Sequence, residues 1–377
     1  MNRLIYAASR HDADHYDADM LYATCFTAVD SFLYFEKNGR KSIALKTLEY
    51  ARGLKEARVD HVLNYSEWTQ KMLRKGCPQV KTHHWISDML HDHKIKTAVI
   101  SPSFPTGLAD SLRKKGIRLV VAKENLFQER ESKTPDELTA IRQSLKITAE
   151  LLGCAIQMIR SSKPNRKSVL ILGGSPLTSE RIQTAIRVEA ARRGCDASHP
   201  IVAGGGQVCE PHSRGHGNLK ANELIVIDIF PRSLVTGYWG DMTRTVVKGR
   251  ATEAQRRLFK TAHQAQKLAI SKLRSGINGN EVHRAVEIFF ESKGYFTNNS
   301  SGYYQGFFHS TGHGLGLDLH ESPRINASSQ KLQVGNVVTV EPGLRYTHVG
   351  NARIEDVVVI RKGGCEILSR FPVQLEI

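Results

Sequence analysis

The stretch from Glu223 to Val247 constrains the fold more than any other part of the chain, and it reads ELIVIDIFPRSLVTGYWGDMTRTVV. Its apolar run LIVIDIF has the length and the β-branched residues of a buried strand, yet Asp228 lies inside it. Asp241 follows at the start of a second apolar run, after the turn-forming segment SLVTGYWG. Two antiparallel strands would place these carboxylates side by side. Because like charges about 4 Å apart repel by roughly 4 kcal/mol at an effective dielectric constant of 20, such a pair either shares a proton or binds a cation.

Length and composition indicate an ordinary globular protein. The chain has 377 residues, enough for two domains, with 40% apolar and 24% charged residues. No apolar run approaches the roughly 18 residues of a membrane helix, and the first residues turn acidic where a signal peptide stays apolar. The six cysteines are scattered singly, which favours reduced thiols over disulfides or a zinc site. We therefore expect a cytoplasmic protein that does not bind membranes.

The formal net charge of +16 would favour a nucleic-acid partner if it were concentrated in one patch. The longest basic clusters, Lys114-Lys115 and Arg192-Arg193, are short and are not interleaved with aromatic residues that could stack on bases. We interpret the charge as a solvated surface and expect no nucleic-acid partner.

The chain is predicted to contain two domains, residues 1–130 and residues 131–377. In the first domain, the apolar runs at 97–101 and 117–122 flank a helical stretch, as in a βαβ unit. The second domain opens with Thr134-Pro135-Asp136-Glu137, which is a capping box with proline at the first helical position. Apolar residues at helical spacing continue this helix to about Ile159. Further helices are predicted at 178–193, 253–273 and 280–293.

Three histidines lie close together in the segment Phe307 to Glu321, which reads FFHSTGHGLGLDLHE. His309, His313 and His320 stand in a glycine-rich setting where the backbone can approach an ion or a substrate closely. The alternating glycines do not form a nucleotide site, because no strand-to-helix fingerprint surrounds them and no Walker A string occurs in the chain.

Two further acids come from strand ends near the C-terminus. Glu341 ends the apolar strand VVTV, and the segment ARIEDVVVI places Arg353 and Glu355 on one face of a strand and Asp356 on the other. Either Glu355 or Asp356 must therefore face inward. Four carboxylates and a histidine at the ends of buried strands are the ligand set of two bridged divalent cations such as Mn²⁺, and the absence of cysteine argues against structural zinc.

The ordered set resembles the prolidase, aminopeptidase P and creatinase family: Asp228, Asp241 in GDMTRT, His313 in HSTGHGLGLDLH, Glu341 in TVEPGL and Glu355 in RIED. The resemblance covers the whole chain, although residues 1–130 match only in general character. It implies an α+β fold, in which a smaller α/β creatinase-type domain precedes a pita-bread catalytic domain. In that domain, helices back a curved antiparallel sheet with pseudo-twofold halves.

The resemblance also implies roles for the ligands. Asp228 would chelate one ion, Asp241 and Glu355 would bridge both, and His313 and Glu341 would complete the shell of the other ion. A hydroxide between the ions would attack the scissile carbonyl, and Glu341 would also shuttle the proton.

Other residues around the site take their expected roles from the same resemblance. His309 and His320 match histidines that position the substrate and stabilise the transition state. His212 matches a third such histidine more loosely, and His216 competes with it for that role. Arg353 is expected to orient Glu355.

The function implied is hydrolysis of the peptide bond before proline, by an Xaa-Pro aminopeptidase or an Xaa-Pro dipeptidase that acts on proline-containing peptides. Mn²⁺ is the expected metal, although Co²⁺, Zn²⁺ and Fe²⁺ can occupy such a site, and the family suggests a homodimer. The alternatives are a creatinase-like C–N hydrolase that works without metals and a non-catalytic peptide-binding module on the same fold. The intact ligand set favours the peptidase.

Overall fold

The structure is a computed structural model, and it describes residues 2–74, 76–77, 79–123, 125–210, 213–300 and 303–377, without the side chains of Ser300 and Tyr303. The chain divides into two compact units, Met1–Arg130 and Glu131–Ile377. Among the described residues, no helix is both long enough and apolar enough to span a lipid bilayer.

The unit Met1–Arg130 combines one mixed sheet with a separate pair of parallel strands. Its elements are, in chain order, β1 (Leu4–Ala7), α1 (Ala18–Thr24), β2 (Phe32–Lys37), β3 (Arg40–Leu45), α2 (Thr47–Glu56), β4 (His61–Asn64), α3 (Ser66–Arg74), α4 (Thr82–Asp92), β5 (Thr97–Ile100), α5 (Thr106–Lys114) and β6 (Arg118–Val121). Strands β1, β2 and β3 pair antiparallel, and β4 joins β3 in parallel. Because β5 and β6 pair in parallel on either side of α5 in the sequence, the predicted βαβ unit is confirmed.

The unit Glu131–Ile377 contains four long helices, as predicted, within its described residues. They are α6 (Pro135–Ser161), α7 (Ser179–Arg192), α8 (Glu253–Lys272) and α9 (Gly279–Ser292). The capping box at the start of α6 is confirmed: the Thr134 hydroxyl accepts the Glu137 N–H at 3.3 Å, and Oε2 of Glu137 accepts the Thr134 N–H at 2.8 Å. These bonds satisfy two of the amide groups that every helix start leaves without a partner.

The strands of this unit are short. They are β7 (Lys163–Pro164), β8 (Leu170–Leu172), β9 (Ser175–Pro176), β10 (Cys195–Asp196), β11 (Ile201–Gly204), β12 (Leu224–Ile229), β13 (Arg232–Ser233), β14 (Met242–Val247), β15 (Asn298–Ser300), β16 (Tyr303–Gln305), β17 (Gly312–Gly314), β18 (Glu321–Ile325), β19 (Val337–Val340), β20 (Gly343–Tyr346), β21 (Gly350–Arg353), β22 (Asp356–Ile360) and β23 (Cys365–Ile367). Two of its antiparallel sheets have the orders β11-β12-β14 and β18-β17-β19-β22-β23.

Helices cover both of these sheets with apolar side chains. Leu152 of α6 and Ile186 of α7 belong to one core with Ile227 of β12. Leu258 of α8 and Val286 of α9 belong to a second core, which includes Val338, Val340, Val358 and Ile360 of β19 and β22. Burying one such side chain stabilises the fold by about 1.5–3 kcal/mol, so the two cores hold the strand ends that carry the acids in fixed positions.

Candidate metal centre

The hairpin of β12 and β14 brings the two aspartates to the same end of a buried sheet. Every residue of β12 is buried, and Asp228 pairs in register with Thr243 of β14. Asp241 lies one residue before β14, so both carboxylates are at one end of the strand pair, with exposures of 7% and 4%. The antiparallel arrangement predicted from the sequence is therefore confirmed.

Gly240 is required where the chain enters this site. A Cβ atom at this position would lie 2.3 Å from the hydroxyl of Thr148 and 2.8 Å from the carbonyl of Ser144, both in α6. The Gly240 N–H donates to the Pro231 carbonyl at 2.8 Å, which closes the turn before Asp241. The absence of a side chain at Gly240 thus lets the backbone pass directly over α6 and place the Asp241 carboxylate.

His313 is held by β17 with its Nε2 atom directed at the acids. The backbone N–H of His313 donates to the Thr339 hydroxyl at 3.0 Å, and Nδ1 lies 3.1 Å from the Gly314 carbonyl. Because a carbonyl only accepts, Nδ1 carries the proton and Nε2 keeps its lone pair. Nε2 lies 3.4 Å from Oε1 of Glu341 and 3.7 Å from Oδ2 of Asp241. Burial lowers the pKa of His313 to about 3, so the ring is neutral and able to ligate a cation.

Glu341 and Glu355 belong to the same cluster. Glu341 directly follows β19, and its N–H donates to the Thr311 carbonyl at 2.8 Å. Glu355 lies between β21 and β22, where Oε2 accepts the Thr243 hydroxyl at 2.6 Å. One ligand atom each from Asp241, His313 and Glu355 lies within 4.8 Å of the other two. These contacts join four separate segments of the chain in one buried cluster.

The cluster concentrates negative charge in a buried place. Burial, followed by the charges of Glu355 and Asp228, raises the pKa of Asp241 well above its usual range. Burial and the charges of Glu341 and Asp228 do the same to the pKa of Glu355. Burial also raises the pKa of Glu341 to about 7, although Arg353 opposes the shift. Without bound ions, ionisation of these acids is therefore unfavourable. Divalent cations would lower its free-energy cost.

Asp228 is held differently from the other acids. Nη2 of Arg353 donates to Oδ2 of Asp228, and Nη1 lies 3.8 Å from Oε2 of Glu341. The second oxygen, Oδ1 of Asp228, is buried without a hydrogen-bond partner among the residues that the structure describes. A buried carboxylate oxygen without a donor is expensive, and a cation would satisfy it.

The expected contact between Arg353 and Glu355 does not match the observed hydrogen bonds. Arg353 contacts Asp228 and Glu341, while Thr243 binds Glu355. The physical reason is that the segment 352–360 is not one strand: β21 ends at Arg353 and β22 begins at Asp356. Strand periodicity does not extend across that break, so it cannot pair Arg353 with Glu355.

Glu355 and Asp356 are adjacent where β22 begins, and both are buried. The sequence predicted that one of the two must face inward. Glu355 is 2% exposed and Asp356 is 8% exposed. Asp356 is fully paired: Oδ1 accepts from Arg244 at 2.8 Å and from Ser369 at 2.7 Å, and Oδ2 accepts from Gln266 at 2.9 Å. Asp356 is therefore a structural acid. The sequence contains a signal for this pairing, since Arg244 interrupts the apolar strand MTRTVV and a buried arginine needs an acid.

The predicted histidines differ in their surroundings. His309 is partly buried, and its Nδ1 donates to the Ser310 carbonyl at 2.9 Å. Burial lowers the pKa of His309 to about 3. His320 is exposed, with its ring edge-on to the ring of His313 at 4.2 Å between centroids. His216 is exposed, and its backbone contacts the side chain of Gln207. His212 lies outside the described residues.

A cavity of about 460 Å³ opens onto the cluster. It is lined by acids, histidines, arginines and a few apolar residues: Ile201, Asp228, Phe230, Asp241, Phe308, His309, Ser310, His313, Leu319, His320, Arg324, Glu341, Arg345, Arg353 and Glu355. The volume suits a short peptide rather than a folded chain. The oxygen-rich donor set with one imidazole fits hard or borderline divalent cations.

Comparisons with known proteins agree with this chemistry. The profile described as Metallopeptidase family M24 matches residues 139–362. The Xaa-Pro dipeptidase of Pyrococcus horikoshii is 29% identical over 285 residues, which is 74% of this chain and 75% of that protein.

Solved structures show the fold. The X-Pro aminopeptidase from Thermotoga maritima superimposes with a TM-score of 0.79 at 21% identity, over 100% of this chain and 97% of that chain. The Xaa-Pro dipeptidase from Bacillus anthracis superimposes with a TM-score of 0.81 at 20% identity, over 100% of this chain and 95% of that chain. At these identities the superpositions establish a shared mixed α and β fold.

Proposed function

The chain belongs to metallopeptidase family M24, and on that premise we propose that it hydrolyses the peptide bond that precedes a proline residue. The observation that carries the proposal is the buried convergence of Asp241, His313 and Glu355 beside a cavity of about 460 Å³. Glu341 and Asp228 line the same cavity. The relative named Xaa-Pro dipeptidase supports the preference for proline.

We further propose that the acids and His313 hold two divalent cations. In this proposal Asp228 would hold one ion, His313 and Glu341 would hold the other, and Asp241 and Glu355 would contribute to both. The orphaned oxygen of Asp228 and the raised pKa values of Asp241 and Glu355 support it, because each is relieved by positive charge. When bound, such ions lower the pKa of a coordinated water and polarise a substrate carbonyl.

Glu341 is the residue that moves the proton. Its carboxyl is buried, and burial raises its pKa in the protein alone to about 7. A divalent cation beside it would favour the ionised carboxylate, which is the form that accepts a proton. Oε1 of Glu341 accepts a long hydrogen bond from the Thr339 hydroxyl at 3.4 Å. In the proposed reaction Glu341 takes a proton from the attacking water and returns it to the proline nitrogen as the peptide bond breaks.

His309 and His320, which line the cavity together with His313, have complementary roles in this proposal. Since Nδ1 of His309 donates to the Ser310 carbonyl and the ring is neutral, its Nε2 accepts a hydrogen bond from an N–H of the substrate. His320 lies against the ring of His313 and donates to the oxygen of the scissile carbonyl as it gains negative charge. Together they position the peptide and stabilise the transition state.

Manganese, a homodimer and a cytoplasmic location are part of the same proposal. The oxygen-rich ligand set favours manganese among the candidate metals. All six cysteines are free thiols, which agrees with a reducing compartment. The homodimer rests on the family resemblance alone. Elemental analysis of the purified protein tests the metal, and light scattering coupled to gel filtration tests the dimer.

The decisive experiment compares peptides and metal content on one sample. Gly-Pro, Gly-Pro-Pro and a longer Xaa-Pro peptide are incubated with the protein, with Gly-Ala as the control that lacks proline. We expect cleavage before proline, loss of activity on chelation, and recovery on addition of Mn²⁺. Activity that survives verified metal loss would contradict the metal mechanism. Cleavage of Gly-Ala but of no proline peptide would contradict the specificity.

His320 provides a second test. If it donates to the developing oxyanion, His320→Ala lowers kcat by about 100- to 1,000-fold while the bound metal is retained. The exposed His348 offers a matched control, because His348→Ala removes an imidazole that is not among the described residues lining the cavity. A His320→Ala protein that loses its metal would instead place His320 among the ligands.

A further inference from the structure

His283 joins helix α9 to the segment that carries His309. It lies in α9, is 8% exposed, and its Nδ1 atom lies 2.9 Å from the hydroxyl oxygen of Thr311. Its ring also packs against the ring of Phe307, with 5.3 Å between the two centroids. Phe307 is the second residue before His309, and Thr311 is the second residue after it. His283 therefore contacts both flanks of His309 from a different element of the fold.

The surroundings of His283 determine which of its nitrogens accepts a hydrogen bond. Burial lowers the pKa of His283, although Glu287 opposes the shift, so the ring is neutral at neutral pH. Oε1 of Glu287 lies 3.4 Å from Nε2 of His283, and a carboxylate there favours the tautomer with the proton on Nε2. Nδ1 is then the acceptor, and the Thr311 hydroxyl donates to it. Because Thr311 is 0% exposed, its hydroxyl does not face a substrate, and the bond serves to hold the chain.

Thr311 uses all three of its polar groups to connect separate elements. Its N–H donates to the Ile325 carbonyl of β18 at 2.8 Å, and its own carbonyl accepts the N–H of Glu341, directly after β19, at 2.8 Å. The hydroxyl adds α9 to these connections through His283. Thr311 is thus anchored to three elements, and it lies two residues from His309.

His309 depends on this anchored segment more than His313 does. The N–H of His313 donates to the Thr339 hydroxyl at 3.0 Å, which ties His313 directly to β19. Within the described residues, the one hydrogen bond of the His309 ring goes to the carbonyl of its neighbour Ser310, which moves with it. The orientation of the His309 ring is therefore set by the positions of the residues that flank it.

We propose that His283 is a positioning residue that holds Phe307 and Thr311 and thereby fixes the His309 imidazole in the orientation that binds the peptide. This inference rests on the proposed function, in which Nε2 of His309 accepts an N–H of the substrate. His283 is not among the described residues that line the metal-centre cavity, so it acts through its neighbours. Since a misplacement of about 1 Å can cost about 100-fold in rate, loss of the contact to Thr311 should lower kcat/KM by about 10- to 100-fold.

Two amide substitutions separate this hydrogen bond from the bulk of the ring. His283→Asn places an amide near the position of Nδ1 and keeps an acceptor for the Thr311 hydroxyl, whereas His283→Gln places the same group near Nε2. With the faster cleaved of Gly-Pro and Gly-Pro-Pro as substrate, we expect His283→Asn to keep a kcat/KM close to the wild-type value. His283→Gln should lower it by about 10- to 100-fold, and both variants should bind Mn²⁺ as the wild type does.

The control makes a comparable change on another helix. His263→Gln replaces a partly buried histidine of α8 and should leave kcat/KM unchanged. Equal kcat/KM values for His283→Gln and the wild type, or equal losses in His283→Asn and His283→Gln, would overturn the inference.

A double substitution separates positioning from stability. His283→Leu leaves the buried hydroxyl of Thr311 without its partner and should lower the thermal unfolding temperature. Adding Thr311→Val removes that hydroxyl, so the double variant should regain much of the lost temperature but not the lost kcat/KM. Recovery of both quantities would show that His283 only stabilises the fold, which contradicts the positioning role.

Chemical labelling tests the position of His309 without turnover. Diethyl pyrocarbonate acylates accessible neutral imidazoles, and mass spectrometry of the digested protein gives the rate at each histidine. In chelator-treated His283→Gln we expect His309 to react faster than in the wild type, while the exposed His348 reacts at an unchanged rate. Faster labelling of His309 in a protein that cleaves no peptide supports the positioning role and refutes only the proposed function. Cleavage with unchanged labelling and unchanged kcat/KM refutes the positioning role and leaves the peptidase proposal intact.

Discussion

Glu341→Gln should stabilise the metal-free protein at neutral pH although it removes a functional group. In the folded protein without ions, burial raises the pKa of Glu341 from 4.5 to about 7. An acid whose pKa is higher in the folded state holds its proton more tightly there. The contribution of Glu341 to the free energy of unfolding is therefore fully present below about pH 4.5. It decreases as the pH rises, and above about pH 7 it does not decrease further.

The magnitude follows from the two pKa values. At about 1.4 kcal/mol per pH unit, the interval from 4.5 to about 7 corresponds to about 3 kcal/mol. The neutral amide of Glu341→Gln does not titrate, so the variant escapes this loss. The substitution also removes the charge of Glu341, which raises the pKa values of Asp241 and Glu355. Removing this repulsion further stabilises the folded variant at neutral pH. The advantage of the variant over the wild type should grow by about 2 to 3 kcal/mol from about pH 5 to about pH 8.

Urea unfolding of the chelator-treated proteins across this pH range measures the difference directly. Mn²⁺ at a thousandfold its dissociation constant should reverse the order, because it adds about 4.1 kcal/mol to the protein that binds it, which exceeds the gain of the variant. Glu253→Gln is the control, since the side chain of Glu253 is 90% exposed. Parallel pH profiles for wild type and Glu341→Gln would refute the account of the cluster as a site of strong charge repulsion.

The remaining predictions concern residues that position the site. Lys133 pairs with Glu321 at 2.5 Å, with exposures of 1% and 3%, so Lys133→Met should cost about 3–5 kcal/mol in urea unfolding, and Glu321→Gln in the same chain should restore part of it. Gly240→Ala places a methyl group 2.3 Å from a hydroxyl of α6 and should weaken Mn²⁺ binding in a titration, whereas Ala at the open Gly363 should not. Thr243→Val removes the hydroxyl that binds Glu355 and should weaken Mn²⁺ binding by about 10- to 100-fold, with retained affinity contradicting its role.

The sequence predicted those parts of the structure that depend on short segments. The helix α6 was predictable because its capping box and apolar spacing are local signals. The β12–β14 hairpin was predictable because a lone acid in an apolar run requires a nearby partner, and Asp241 is the next acid along the chain. The resemblance named the ligand candidates in order, and the structure brings Asp241, His313 and Glu355 within 4.8 Å of one another.

Contacts between distant segments were not predictable in the same way. The position of Arg353 depends on the break between β21 and β22, which the alternation of apolar and polar residues in ARIE does not reveal. Arg345 lies in the segment EPGLRY, which contains no sign that the arginine is buried or unpaired. Its guanidinium packs on the ring of Phe308, and its Nε and Nη1 atoms have no hydrogen-bond partner among the described residues.

The adjacent residues Glu355 and Asp356 show how the structure separates an acid that supports the fold from an acid that binds a cation. Both are buried, so burial does not distinguish them. Asp356 receives hydrogen bonds from Arg244, Gln266 and Ser369, and a cation there would have to displace a paired guanidinium. Glu355 receives one neutral hydroxyl and faces the charges of Glu341 and Asp228. Since a buried carboxylate without a cationic partner is unfavourable, the imbalance at Glu355 is an argument for metal binding that does not depend on any resemblance.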